Sequence, residues 1–300
     1  MIDAAHRVNT PAQSWLAPAK LNLFLHIIGR RADGYHLLQS VFTLIDFGDT
    51  LRFEVRRDGV IHRMTHHDGV AEENDLVVRA AKLLQHESKT VLGCDIWLDK
   101  RTPMGGGLGG GSSDAATTLM ALNQLWGIHF DGEQLQNIGL TLGADVPFFI
   151  FGRSAFVEGV GEKLVPIDIP LAWYVVLTPP VAVGTAQIFQ SPELTRATIP
   201  LKIADFSAVE IKSCKNDLQS VVLKAFPAVA HYFNALNAVS QKSIFGARMT
   251  GSGACVFAAF EHEAHARDAF LAASAILALE HIGFVARGLD CHPTSLVVPQ

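Results

Sequence analysis

Pro103 to Ala116 reads PMGGGLGGGSSDAA and holds six glycines in the seven positions 105–111. Each glycine in a run costs backbone entropy, so a run this dense has a geometric purpose. Consecutive backbone N–H groups that turn inward form an anion nest. A helix that starts directly behind them adds unpaired donors and the positive end of its dipole. Ser112 and Ser113 add hydroxyls able to donate to phosphate or to reach a magnesium ion, and Ala115 and Ala116 keep the first helical turn slim. The chemistry this stretch can do is phosphate binding.

Two known phosphate loops fit it poorly. A Walker A loop needs a lysine after its glycines, and none follows here. Gly105, Gly107 and Gly110 match the dinucleotide spacing G-x-G-x-x-G, which wants a second strand ending in an acidic residue about 20 positions on. Asp131 lies near that distance, with no adequate strand ahead of it. A flexible linker would not sit between a strand and an apolar helix.

Two further segments carry polar residues that apolar surroundings do not explain. In PAKLNLFLHIIGRRADGYH, Lys20 and Asn22 interrupt an apolar strand. A lysine pointing inward there needs an anionic partner, whereas one on an edge needs nothing. In TLGADVPFF, Asp145 follows Gly143 and precedes Pro147, so it is either a helix cap or a functional carboxylate. His62, His66 and His67 have a metal-like spacing only if helical, and they sit in a predicted hairpin strand and loop. His262-Glu263-Ala264-His265 is one residue short of H-E-x-x-H.

The elements that must hold these residues follow from periodicity. Strands are predicted over Trp15–Ile28, Leu51–Val55 and, after the Asp58-Gly59 turn, the return strand Val60–Thr65. Helices are predicted over Asp75–His86 and about 112–126, with a third capped by Asp131 and ending at Gly143. Ile96–Asp99 is a short strand. Proline and glycine thicken over 159–170, which sets a boundary between domains 1–168 and 169–300. Beyond it come strand 173–178, helices over 215–241, strands 245–249 and 254–260, helix 263–280 and strand 284–289. That order is an elaborated split β-α-β-β-α-β unit. Both halves mix helices and strands without regular alternation, so the class is α+β.

Composition bounds the partners. The chain has 300 residues, 49% apolar and 18% charged, with 24 Lys and Arg against 29 Asp and Glu. A net charge of −5 lacks the basic excess of a nucleic-acid binder. No apolar stretch approaches the roughly 20 residues that span a bilayer, and residues 1–14 read as a leader without a signal-peptide core. The four cysteines form no C-x-x-C pair. A cytoplasmic protein with reduced thiols, no membrane partner and a monomeric or homodimeric state is expected.

Taken together, the three segments resemble the motifs of the GHMP kinase superfamily, the small-molecule kinases of galactose, homoserine and mevalonate type. A further motif is RMTGSGACVFA, residues 248–258. The resemblance spans about residues 15–290 and implies a two-domain fold: an N-terminal mixed α/β domain with the glycine loop, and a ferredoxin-like C-terminal domain. Galactose and mevalonate kinases carry a P-G-[KR] start and a nearby G-E-H, both absent here. The text PAKLNLFLHIIGRRADGYHLLQSVF is similar instead to the branch whose substrate is a cytidine diphosphate-linked methylerythritol.

The resemblance implies ATP and Mg²⁺, with transfer of the γ-phosphate to a substrate hydroxyl. It makes Asp145 the general base and Lys20 its charged neighbour. Pro103 and Met104 lead into the loop Gly105, Gly106, Gly107, Leu108, Gly109, Gly110, Gly111, which with Ser112 and Ser113 would hold the ATP phosphates, and Lys100 would reach the nucleotide. Asn22, Tyr35, His36, Thr185 and Phe189 match positions that take the substrate, with the pyrimidine stacked on aromatic rings. No carboxylate cluster identifies protein ligands for magnesium. Another kinase of the superfamily, for homoserine or a sugar, and a non-catalytic ligand sensor on the same fold are the alternatives. A sensor could lose Lys20, Asp145 or the full glycine loop without penalty.

Overall fold

The computed structural model describes residues 13–66, 70–202, 208–278 and 282–294. Nearly all of the leader and His67 lie outside the described residues. Strand β1 (Ser14–Arg30) runs antiparallel to β2 (His36–Arg56) in one long ribbon, with Leu21 opposite Thr43. Both faces of β2 are covered. Phe42 and Leu44 enter a core with the N-terminal helices, whereas Val41 and Ile45 enter a second core shared with the C-terminal half. A strand buried on both faces shows no alternation of polar and apolar residues, so only its solvent-touched end, 51–55, was readable as a strand.

The turn at Asp58-Gly59 forms, with Gly59 at φ +74°, but the expected return strand does not pair with β2. β3 (Ile61–Arg63) lies parallel to β4 (Gly93–Asp99), which is inserted between it and β2. A turn signal is local, whereas the partner is set by which neighbour completes the core; here β4 pairs with β2 over seven residues and displaces the hairpin.

Among the described residues, four α-helices form a layer with the N-terminal sheet, the third packing on the other three. α1 (Leu76–Ser88) is capped by Asp75, whose side chain accepts from the Val77 amide. α2 (Gly110–Leu125) begins inside the glycine run. α3 (Gly132–Leu140) starts with a reciprocal capping box between Asp131 and Gln134. α4 (Val146–Phe151) is a short apolar turn with Pro147 in its first turn. Next come β5 (Ala155–Gly159) and β6 (Lys163–Pro166), a hairpin added to β2 whose turn and second strand fall in the proline- and glycine-rich stretch 159–170.

The C-terminal half starts with β7 (Trp173–Leu177) and α5 (Thr185–Gln190), followed by α6 (Ala208–Ser213), α7 (Gln219–Ala225) and α8 (Pro227–Ala238). Then come β8 (Phe245–Met249), β9 (Val256–Phe260), α9 (Glu263–Leu277) and β10 (Gly283–Leu289). The antiparallel order β10-β7-β9-β8 is the split β-α-β-β-α-β arrangement expected from the sequence. β10 also pairs with β2, so the sheet runs on from one half to the other. Among the described residues no helix is long and apolar enough to cross a membrane.

Candidate active site

Strand β1 carries Lys20 into the interior, where its side chain is only 5% exposed. An ammonium there requires polar partners, and it has two, together with an aromatic face. Lys20 Nζ donates to Asn22 Oδ1 at 2.6 Å, lies 3.5 Å from Asp145 Oδ2, and stands 4.5 Å above the centre of the Phe42 ring. Asn22 is fixed in turn: its Nδ2 donates to Ser40 Oγ at 3.1 Å and its backbone N–H to Thr250 Oγ1 at 3.0 Å. Asp145 precedes α4, but its side chain makes no capping hydrogen bond. The carboxylate thus faces Lys20 and does not cap the helix.

The glycine loop closes over this pair. Gly105, Gly107 and Gly109 adopt φ of +69°, +75° and +72°, a region that other residues enter only at a cost. Gly109 is the N-cap of α2, so the helix start carries no capping side chain. The loop is bonded to the neighbouring segments: the Lys20 amide donates to Leu108 O, and the amides of Ala254 and Cys255 donate to Gly105 O and Gly106 O. A Cβ at Gly106 would stand 2.7 Å from Cys255 Sγ, and one at Gly107 2.3 Å from Thr250 O. The two loops therefore pack backbone to backbone, which explains why the 248–258 motif is also rich in small residues. Asn216 secures its turn by donating to Met249 O and Gly251 O, both at 2.8 Å.

A cavity of about 300 Å³ brings Lys20, Asn22, Asp145, Gly107, Thr185 and Phe189 together. The other predicted residues divide. Ser112 lines a second cavity on the outer side of the loop with Pro103, Met104 and Lys100. Ser113 is fully buried and donates to Pro18 O at 2.6 Å, tying α2 to β1. Lys100 Nζ bonds Asp49 Oδ2 (2.5 Å) and Asp114 Oδ2 (2.8 Å). Burial alone would lower the Lys100 pKa, but Asp114 and Asp49 hold it above its ordinary value. Asp114 is pushed up to about 8 by burial, against the pull of Lys100.

Thr185 Oγ1 shares a 2.8 Å hydrogen bond with Ser252 Oγ. His36 and Phe189 come together with ring centres 5.1 Å apart, and Tyr35 lies 65% exposed at the end of the β1–β2 ribbon. His62 is exposed, 3.9 Å from Glu72. No group of three His, Cys, Asp or Glu that could hold a metal occurs among the described residues.

Sequence reasoning missed two members of this site. Asp49, fully buried, accepts the amides of Arg101 and Thr102 at 2.6 and 2.7 Å and so anchors the stem of the loop. A single aspartate in a strand with no alternation carries no signal. Arg196, in the irregular stretch after α5, donates to His36 Nε2; nothing in its local sequence announces that contact.

Comparison with known proteins gives a consistent answer. Residues 75–153 match the family described as GHMP kinases N terminal domain and residues 205–278 match GHMP kinases C terminal. The 4-diphosphocytidyl-2-C-methyl-D-erythritol kinase of Nitrosospira multiformis is 57% identical over 97% of this chain and 95% of its own length. The protein of the same name from Thiobacillus denitrificans is 56% identical over 96% of this chain and all of its own. A crystal structure of 4-(cytidine 5'-diphospho)-2C-methyl-D-erythritol kinase superposes with a TM-score of 0.76 at 34% identity, covering 92% of this chain and 98% of that one. Homoserine kinase from Cytophaga hutchinsonii, at 16% identity and a TM-score of 0.68, shares the fold.

Proposed function

The chain belongs to the GHMP kinase family, whose members are small-molecule kinases that use ATP, and on that premise we propose that it phosphorylates the 2-hydroxyl of 4-diphosphocytidyl-2-C-methyl-D-erythritol. The observation that carries the reading is the Lys20–Asp145 pair, 3.5 Å apart, in one cavity with Gly105, Gly107 and Gly109 of the phosphate loop.

Phosphoryl transfer rests mainly on positioning and charge stabilisation. Asp145 accepts the proton of the substrate hydroxyl as its oxygen bonds the terminal phosphorus and the bond to the departing ADP breaks. The Lys20 ammonium stabilises negative charge on the hydroxyl oxygen and the moving phosphoryl group. Asn22 holds that ammonium in place. Glycine-loop amides and the start of α2 face the remaining phosphates.

The nucleoside has a suitable place beside the loop. A cavity of about 610 Å³ is lined by Asn74, Leu98, Lys100, Met104 and Asp114. Thr102 Oγ1 and Asp114 Oδ1 are buried there without hydrogen-bond partners among the described residues, as expected where a polar ligand completes the set. The cytidine end fits the His36–Phe189 pair. Magnesium would accompany ATP and neutralise phosphate charge, but the described residues include no carboxylate cluster to hold it, so no step is assigned to it. Chemistry on this phosphorylated substrate class fits a cytoplasmic enzyme.

The test is ADP release with purified protein against a panel: the cytidine diphosphate methylerythritol, homoserine, galactose and mevalonate. Turnover of the first alone supports the reading. Turnover of another, with none of the first, removes it.

A further inference from the structure

The Arg196 guanidinium makes four hydrogen bonds. Nε donates to His36 Nε2 at 3.1 Å, Nη1 to Leu194 O at 3.1 Å, and Nη2 to Phe189 O at 3.1 Å and Ser191 O at 2.7 Å. A guanidinium has donors only and keeps its charge. The His36 nitrogen that it meets is therefore an acceptor, and a neutral ring then carries its proton at Nδ1. No partner of that Nδ1 occurs among the described residues. The three carbonyls belong to the segment that carries Phe189, so one side chain clamps both halves of the ring pair.

We propose that Arg196 is a positioning residue for base recognition: it locks His36 as an Nδ1–H donor beside the Phe189 ring, so that the site takes a pyrimidine offering a ring-nitrogen acceptor, as cytosine does, and rejects one offering an N–H there, as uracil does. The inference rests on the reading of His36 and Phe189 as the cytidine end of the site. A donor facing a donor leaves both unpaired, and that is how a polar site discriminates strongly. The surroundings agree. Burial first, then the charges of Arg196 and of Arg30 from β1, lower the His36 pKa. In the turn beyond, Arg31 and Asp33 are paired with each other at 2.8 Å.

Two measurements on the full-length enzyme separate the possible failures. The first is ¹⁵N NMR of the His36 imidazole without ligand, assigned with His36→Gln. The expected result is a neutral Nδ1–H ring at pH 7.5 in wild type, and a mixture of neutral tautomers that protonates at higher pH than wild type in Arg196→Met. A wild-type ring with its proton on Nε2 overturns the proposal whatever the substrate is. The second measures kcat and KM for the cytidine-linked substrate, its uridine counterpart and ATP. Arg196→Met is expected to raise KM for the cytidine compound roughly tenfold, to narrow its advantage over the uridine compound, and to leave KM for ATP unchanged. Arg196→Lys, which keeps the charge and one donor, should recover part of both and serves if Arg196→Met fails to fold. If His36→Ala raises this KM while both Arg196 variants keep wild-type selectivity, the proposal is wrong. If neither residue affects the cytidine compound, the subsite reading fails and the proposal with it.

Discussion

Gly107→Ala tests the phosphate loop with a change of one methyl group. Gly107 sits at φ +75°, and a Cβ there would lie 2.3 Å from Thr250 O and 3.2 Å from Gly253 O. Both neighbours are backbone atoms, so neither can swing aside. To reach the 3.4 Å of ordinary contact, the loop must retreat from Thr250 by about 1.1 Å. A misplacement of about 1 Å costs on the order of 10²-fold in catalysis when reacting groups are held in line. The positive φ adds roughly 1–2 kcal/mol of strain of its own.

Gly127→Ala is the matched control, because Gly127 has φ +65° with nothing within 4 Å of its would-be Cβ. It should lower Tm by a few degrees and leave kcat/KM for ATP unchanged. Gly107→Ala should show a similar or somewhat larger Tm loss together with a fall in kcat/KM of about 10²-fold. Coupled ADP-release kinetics and differential scanning fluorimetry read both quantities. Wild-type kcat/KM in Gly107→Ala, or an equal loss in Gly127→Ala, would refute the argument that contact with the 248–258 loop sets the position of the phosphate amides.

Other predictions follow from the same geometry. Asp145→Asn keeps the side-chain shape but cannot take a proton, so turnover should fall about 10²–10⁴-fold while a non-hydrolysable ATP analogue binds normally by calorimetry; near wild-type turnover would return Asp145 to a structural role. Asp114 has a folded-state pKa of about 8, raised by burial, so the folded protein keeps a proton there that the unfolded chain releases near pH 4. Stability is thus lost as pH rises between those values, and Asp114→Asn, which mimics the protonated acid, should gain several degrees in Tm at pH 8.5 and little at pH 5. Cys94, Cys214 and Cys255 are buried and Cys291 is exposed, with Cys255 pushed up to about 12 by burial. Brief iodoacetamide treatment of the native protein should therefore modify Cys291 alone by mass spectrometry, without loss of activity.

The site was more legible in the sequence than the sheet that carries it. Lys20 and the glycine run stand out because each violates the local rule of its surroundings: a charge inside an apolar strand, and a string of residues that weaken any regular element. Only function or close backbone packing compensates such a violation, so the signal survives in one sequence. Asp145 is ambiguous in the sequence, because a carboxylate ahead of a helix reads equally as a cap; that it makes no capping bond and lies 3.5 Å from Lys20 instead is visible only in three dimensions.

The topology around β2 was hidden for a different reason. With both faces buried, Val41, Phe42, Leu44 and Ile45 form an apolar run broken only by Thr43, with no alternation to show a strand. The Asp58-Gly59 turn then suggested a hairpin, although β3 crosses to the far edge of β4. Ser113 was assigned to phosphate by adjacency to the loop, but the helical phase carries it inward to Pro18 O. Asp49 and Arg196 act through partners 52 and 160 positions away, and no local pattern encodes such contacts.

The most direct test of the central claim is to identify the product. The enzyme is incubated with ATP and the cytidine diphosphate methylerythritol, and ³¹P NMR follows both phosphorus-containing pools. The account predicts one ADP formed per new phosphomonoester, with that phosphate coupled to the 2-position of the methylerythritol and the diphosphate bridge intact. ADP and inorganic phosphate without a new ester, or a phosphate on another oxygen, would contradict the assignment of Lys20 and Asp145 to the acceptor hydroxyl.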